Sequence, residues 1–250
     1  MKKILELSDI KLIYHTKEAE IEALKNISFT VNEGEFVAIV GPSGCGKTTL
    51  LSIISGILKQ TEGLVKIDQS TENIKEKTGY MFQKDLLFEW RTIWKNITLG
   101  LEIKHDKNPE KLKTLNNLLT KYGLADFKDK YPSQLSGGMR QRVALLRTLA
   151  LNPAILLLDE PFSALDFQTR LNVCDDVKGI ILKENKTAIL VTHDISEAIS
   201  MADKIIILSN RPATIKKIIS IDIEEKVPLK RRENSKFATY FDEIWKELHE

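Results

Sequence analysis

Cysteine is scarce: of 250 residues, only Cys45 and Cys174 are thiols. Two thiols without paired metal-ligand spacing exclude a disulfide-stapled secreted scaffold and a thiolate metal centre, and they fit a reducing, cytosolic compartment. Long apolar runs are missing as well. No stretch approaches the roughly 20 apolar residues of a membrane-spanning helix, so membrane association has to come through a partner. Neither sign of charge dominates, since 37 Lys and Arg face 35 Asp and Glu for a formal net charge of +2. That balance argues against nucleic acid and against an anionic lipid surface. The short run Lys230-Arg231-Arg232 reads as solvated surface. No signal peptide is expected, because Glu6 and Asp9 interrupt any apolar region after the basic Met1-Lys2-Lys3. Internal repeats and low-complexity tracts are lacking too. What is present is 42% hydrophobic residues, enough for one substantial core with a smaller inserted lobe.

The run Gly41-Pro42-Ser43-Gly44-Cys45-Gly46-Lys47-Thr48 fits the P-loop template G-x-x-x-x-G-K-[ST]. Glycines there let backbone N–H groups close around phosphates, and the lysine meets the outer phosphate oxygens. Its setting agrees. Glu35 to Val40 reads as a buried strand entering the loop, and Thr48-Thr49-Leu50-Leu51-Ser52-Ile53-Ile54 as a helix leaving it, with its positive end toward the anion. Cys45 sits among the loop amides, where a lowered thiol pKa is expected; it reads as a tolerated loop residue and not as a nucleophile.

A second glycine-rich helix start lies downstream at Leu135-Ser136-Gly137-Gly138-Met139-Arg140-Gln141. Ser136 is a good N-cap, and the helix that follows is ended by Asn152-Pro153. Alone, such a run is ordinarily a cap with a tight entry turn. Following a P-loop, it carries more weight.

With these two runs in this order, the chain resembles the ATP-binding subunit of an ATP-binding-cassette (ABC) transporter, from about Ile4 to about Ile219. Gln83 within Gly79-Tyr80-Met81-Phe82-Gln83 resembles the Q-loop, and Leu135 to Gln141 the signature. Ile155-Leu156-Leu157-Leu158-Asp159-Glu160 resembles a Walker B strand, Ser163-Ala164-Leu165-Asp166 the D-loop, and Val191-Thr192-His193-Asp194 the switch-histidine segment. The resemblance implies an α/β fold of the P-loop NTPase type: a mostly parallel core sheet flanked by helices, an antiparallel β lobe, and an inserted helical subdomain over about 96–150. The ATP-binding domain is expected over 1–220. A C-terminal extension, 221–250, ends in an amphipathic helix whose Phe237, Phe241, Ile244, Trp245 and Leu248 share one face.

The same resemblance implies an ATPase that uses ATP and Mg²⁺. Gly41 to Thr49, that is Gly41, Pro42, Ser43, Gly44, Cys45, Gly46, Lys47, Thr48 and Thr49, would hold the phosphates, and Tyr14 would stack on adenine. Thr48, Gln83 and Asp159 are the expected metal-site residues. Glu160 is expected to align or deprotonate the attacking water, with His193, Gln83 and Lys47 completing the catalytic set. Ser136, Gly137, Gly138, Gln141 and Asp166 would reach the nucleotide held by a second copy, giving a two-fold dimer with two sandwiched ATP molecules. The implied place is the cytoplasmic face of the cell membrane, peripheral, with transmembrane permease subunits as direct partners, an extracytoplasmic solute-binding protein as an indirect one, and no nucleic acid.

Coarser patterning fits this layout. Ile4 to Ile10 and Ile27 to Val31 alternate like half-buried strands, joined by a polar stretch around Lys17 to Glu22. Leu156 to Asp159, Ala188 to Val191 and Ile205 to Leu208 are continuous apolar runs, as for strands buried on both faces. From Asn96 to Ala150 the reading is helical, with Leu112, Leu115, Leu118, Leu119 and Tyr122 on one stripe and Gly123 at C′. The stretches Gln83 to Thr92 and Met201 to Pro212 resemble the nitrate/sulfonate/taurine branch of importers, although Lys84 and Glu89 depart from its usual residues. Leu86, Leu87, Phe88 and Trp90 are expected to line a groove for a membrane-subunit helix. A P-loop kinase or GTPase would need an acceptor site or guanine-reading segment in place of Leu135 to Gln141. A scaffold without catalysis would be expected to have lost Lys47, Glu160 or His193. The remaining alternative is a soluble ABC-type ATPase acting on a non-transport partner.

Overall fold

Strands that are apolar at every position have no face to offer to water, so helices or another sheet must cover both sides. The computed structural model describes residues 2–17 and 19–249. Its strands in chain order are β1 (Lys3–His15), β2 (Glu20–Asn32), β3 (Phe36–Val40), β4 (Glu62–Ile67), β5 (Thr78–Met81), β6 (Ile155–Asp159), β7 (Thr187–Val191), β8 (Lys204–Leu208) and β9 (Ile215–Ser220). The helices are α1 (Lys47–Ile54), α2 (Ile74–Lys77), α3 (Ile93–Ile97), α4 (Leu99–Ile103), α5 (Pro109–Lys121), α6 (Gly137–Leu149), α7 (Phe167–Lys183), α8 (Ile195–Met201), α9 (Pro228–Arg231) and α10 (Lys236–His249).

Six strands form one sheet in the order β5-β6-β7-β3-β8-β9, parallel from β5 through β8 with β9 antiparallel at the edge. All residues of β3, β6 and β7 are buried. Because side chains alternate across a strand, each strand feeds two cores. Phe36, Ala38, Leu156, Leu158, Ala188 and Leu190 enter one core, shared with α5 to α8, while Val37, Ile39, Ile155, Leu157, Ile189 and Val191 enter the other, shared with α1 and the β1, β2 and β4 sheet. That second sheet is antiparallel, in the order β2-β1-β4.

The expected half-buried strands lie inside longer ones. Register shifts between Leu7 and Ile10 and between Leu12 and Ile13 let β1 and β2 stay paired where simple alternation breaks. The join expected around Lys17 to Glu22 contracts to a turn closed by Thr16 N–H donating to the Ala19 carbonyl at 2.9 Å; Glu18 lies outside the described residues. In the helical lobe, Leu115, Leu118 and Leu119 of α5 are buried, Leu112 and Tyr122 pack beside them, and Gly123 adopts the left-handed φ of 70° that a C′ residue needs. The edge strands β4, β5 and β9 carry no comparably clean apolar pattern.

The last segment returns to the body of the protein. Ile221, Ile223 and Ile244 join the same core as Phe36. Arg231, read above as solvated, is instead buried, its guanidinium donating to the Ser200 carbonyl at 3.2 Å and the Ala202 carbonyl at 2.7 Å. Of the expected apolar face of α10, Phe237, Phe241 and Leu248 pack on the core, whereas Trp245 is half exposed and stacks between Phe241 and His249. Ile244 is fully buried and anchors α10. Ile244→Ala is expected to cost about 3 kcal/mol of stability, read as a fall in the urea midpoint; a change near zero would mean that the helix is not docked in solution.

Candidate functional site

The carboxyl ends of β3, β6, β7 and β8 lie side by side on one edge of the parallel sheet, and the loops that leave them carry the polar chemistry. Crevices at such edges are the usual binding places of open α/β sheets. From β3 the chain turns through Gly41 to Gly46 into α1. Gly46, with φ 121°, has no room for a side chain: an added Cβ would come within 2.9 Å of Leu24 Cδ2. Lys47 is buried, and its ammonium donates to the carbonyls of Gly41 and Pro42, both at 2.9 Å. Tyr14, from the antiparallel sheet, hydrogen bonds through its hydroxyl to Thr49 Oγ1 at 3.2 Å, which brings its partly exposed ring to the start of α1. Cys45 is buried, and burial pushes its thiol pKa up against the opposing pull of Lys47. The expected lowering is therefore overturned, and the thiol is correspondingly inert.

β6 delivers the two carboxylates. Asp159 is buried and accepts from Thr48 Oγ1 at 3.0 Å and from Tyr80 OH at 2.9 Å. Burial raises its pKa, and these two donors oppose the rise. Burial raises the Tyr80 pKa as well, with Asp159 adding to it. Glu160 Oε2 meets His193 Nδ1 at 3.1 Å, bringing the ends of β6 and β7 together. Gln83 Nε2 donates to Ser163 Oγ at 3.1 Å, and Ser163 Oγ donates to the Glu160 carbonyl at 3.0 Å. Gln83, Ser163 and Glu160 thus form one chain of hydrogen bonds. Thr48, Asp159 and Gln83 supply hydroxyl, carboxylate and amide oxygens, the hard donors that suit Mg²⁺. A buried carboxylate beside a hydroxyl is a fitting place for such a cation.

The second glycine-rich helix start is elsewhere. Ser136 caps α6, accepting from Met139 N–H at 3.3 Å. Ser136 and Gly137 are exposed, while Gly138 lies against α7, where an added Cβ would meet Val173 Cγ2 at 2.8 Å. Gln141 is buried in its own subunit and does not share the exposed edge of Ser136. Asp166 is exposed and caps α7, its carboxylate accepting from Thr169 N–H at 3.0 Å. Among the described residues, no hydrogen bond or ion pair joins Ser136–Gln141 to Gly41–Thr49.

α6 instead grips the segment after Gln83. Arg140 makes a two-pronged contact with Asp85 at 2.8 and 3.0 Å and reaches Glu89 at 2.8 Å, while Arg147 donates to the carbonyls of Leu86 and Asp85. Burial works against the Asp85 charge, yet Arg140 and the Leu87 N–H hold its pKa below the ordinary value. The buried Asn96 side chain adds hydrogen bonds to the backbone of Phe88, Arg91 and Thr92. On this braced segment Leu86 and Trp90 are exposed, Trp90 by 75%, with Phe88 against the Trp90 ring. Leu87 is buried, so it faces the core and not the expected groove.

Sequence reasoning missed two residues here. Tyr80 bonds Asp159 across 79 positions, and Arg211 donates to the Gly44 carbonyl at 2.8 Å across 167. Local spacing carries no signal for either. Only the adjacency of β5 to β6, and of β8 to β3, brings them in.

Residues 24–163 match the family described as ABC transporter. YtlC of Bacillus subtilis (strain 168), described as an uncharacterized ABC transporter ATP-binding protein, is 47% identical over 248 residues, spanning 98% of this chain and 95% of its own. The nitrate import ATP-binding protein NrtD of Synechocystis sp. is 37% identical over 247 residues, spanning 96% of this chain and 93% of its own. A solved dimeric structure of the ATP-binding cassette MJ0796, in a post-hydrolysis state bound to ADP and Pi, is similar with a TM-score of 0.74 at 35% identity, covering 88% of this chain and 100% of that one.

Directly after His193, Asp194 caps α8 and Glu197 is buried in the first turn of that helix. Burial, opposed by the Thr192 hydroxyl, pushes the Glu197 pKa from its ordinary 4.5 up to about 7. The folded state therefore binds this proton more tightly than the unfolded chain, so stability is lost as pH rises from 4.5 through about 7. The loss should be on the order of 3 kcal/mol. Glu197→Gln should flatten that part of the stability profile in urea titrations at pH 5 and pH 8; an unchanged slope would assign it to other groups.

Proposed function

The chain belongs to the ABC transporter ATP-binding family, with nitrate, sulfonate and taurine import ATP-binding proteins among its relatives, and from that membership we propose that it is the ATP-hydrolysing subunit that powers a membrane importer for a small solute. The observation that carries the reading is the division of the phosphate-binding apparatus. Lys47, Asp159, Glu160 and His193 gather at one sheet edge, while Ser136 and Gly137 stand exposed at the start of α6, without a hydrogen bond to that group among the described residues. A second copy related by a two-fold axis would bring its Ser136, Gly137 and Gly138 over the phosphates of the first, with Asp166 beside them.

Within each site the residues have separable tasks. Lys47 and the loop amides bind the phosphates, and Tyr14 stands where adenine would stack. Thr48, Asp159 and Gln83 would hold Mg²⁺, which when bound neutralises charge on the phosphate oxygens. Glu160 takes a proton from the attacking water as its oxygen bonds to the γ-phosphorus and the bond to the ADP oxygen breaks. His193, bonded to Glu160, orients that carboxylate. Gln141 is buried in its own subunit, so it reaches a shared nucleotide less readily than the exposed Ser136 and Gly137. Hydrolysis removes the ligand shared by the two copies, so the dimer opens and attached subunits move.

Among the described residues no helix is long and apolar enough to cross a membrane. The exposed Leu86 and Trp90, with Phe88 beside them, support a docking groove for a helix of the permease subunits. Such docking sets the chain at the cytoplasmic face, with the solute-binding protein acting from the other side. We assign 1–220 to the ATP-binding domain, with the helical subdomain at about 96–150, and 221–250 to the extension that packs back onto it.

Glu160→Gln keeps the shape of the side chain and removes the base. ATP turnover should fall by about a hundredfold or more, while ATP binding persists and the variant accumulates as a dimer on size exclusion in ATP. Phosphate release at the parental rate would remove Glu160 from the chemistry.

A further inference from the structure

We propose that Arg211 is a positioning residue of the nucleotide site: it fixes the P-loop peptide at Gly44 and places a second cation, after Lys47, at the phosphate cavity. The inference rests on the ATPase reading above and adds a residue to it. Gly44, Lys47, Glu160 and Arg211 all line one cavity of about 170 Å³ at the sheet edge.

The loop that carries Arg211 is clasped at its base. After β8, Ser209 N–H donates to the Thr214 carbonyl at 2.9 Å, and Thr214 N–H donates to Ser209 Oγ at 2.9 Å. Ala213, fully buried, is bonded to β2 in both directions: its N–H donates to the Ala23 carbonyl at 3.0 Å, and its carbonyl accepts from Lys25 N–H at 2.9 Å. Arg211 therefore projects from a fixed frame. Its Nη2 reaches the Gly44 carbonyl at 2.8 Å, and among the described residues it makes no other hydrogen bond and no ion pair.

Gly44 needs such a restraint. It adopts φ 71°, and nothing lies within 4 Å of where its Cβ would be, so packing does not hold its peptide. Across a trans peptide the Gly44 carbonyl and the Cys45 N–H point in opposite directions. Holding the carbonyl toward Arg211 keeps the Cys45 N–H turned into the loop, where it meets the Pro42 carbonyl at 3.3 Å. The guanidinium retains four of its five donors for phosphate oxygens, in a planar fork suited to them. Lys47 already spends two hydrogen bonds on loop carbonyls. A polyanion entering beside Glu160 gains from a second cation.

The test is titration of the full chain with ATP and Mg²⁺ by calorimetry, alongside thermal unfolding without nucleotide. Arg211→Met should weaken ATP binding about tenfold and leave the nucleotide-free midpoint in place, because the side chain is exposed. Arg211→Lys, which keeps the charge and one donor, should recover part of the loss. Parental affinity in Arg211→Met overturns the proposal. So does a loss of affinity matched by a fall in the nucleotide-free midpoint, since the effect is then on folding. Parental binding that Lys47→Ala abolishes secures the nucleotide-binding part of that reading independently, so that a null result at Arg211 counts against the arginine alone. A parent that binds no ATP overturns both.

Discussion

Alternation of side chains through the parallel sheet is the constraint on which the site depends. Phe36, Leu156 and Ala188 go to one core and Val37, Leu157 and Ile189 to the other, so the strands are held from both faces and cannot slip by one residue. A slip would exchange the two sets of side chains between cores of different shape. With the strands fixed, their carboxyl ends are fixed as well. Lys47, Asp159, His193 and Arg211 then meet although they are spread over more than half of the chain. The polar groups contribute little to that framework. Asp159 is costly where it sits, as its raised pKa records, and the hydrophobic strands offset the cost.

What could be read in the sequence follows from the same physics. β3 is a continuous apolar run, β6, β7 and β8 contain four-residue ones, and the P-loop and the α6 cap each have residue types that suit only a few backbone geometries. Those signals are local and survived folding. Others failed for identifiable reasons. Leu86 and Leu87 are equally apolar, but a left-handed φ of 47° at Leu86 turns one outward and leaves the other inward, which composition cannot foresee. Cys45 has a cation and amides beside it, yet its burial outweighs them. Arg231 lies in a run of three basic residues, and only the return of the C-terminal segment supplies the carbonyls that accept from it. Tyr80 could not be assigned to Asp159 before β5 was known to lie beside β6.

The segment from Asp85 to Thr92 joins the two halves of the molecule. Arg140 and Arg147, on the helix that begins at Ser136, hold its acidic side chains and carbonyls, and Asn96 holds its backbone from below. Glu89, an unusual residue beside the resemblance, has a definite task as a second carboxylate for Arg140. The exposed Leu86 and Trp90 of this segment and the amino end of α6 are thus parts of one braced unit. Gln83, two residues before it, connects it through Ser163 to the backbone of Glu160.

Glu160 itself departs from the rule that orders the rest. Its φ is 44°, in the left-handed region that glutamate enters at some cost. Had β6 continued straight, residue 160 would have followed Leu156 and Leu158 into the apolar core they share with the helices, and a carboxylate there would have had no partner. The kink swings it aside to His193. One strained residue thereby diverts an acid from burial toward the cavity at the sheet edge, so this carboxylate owes its accessibility to a bend in the main chain.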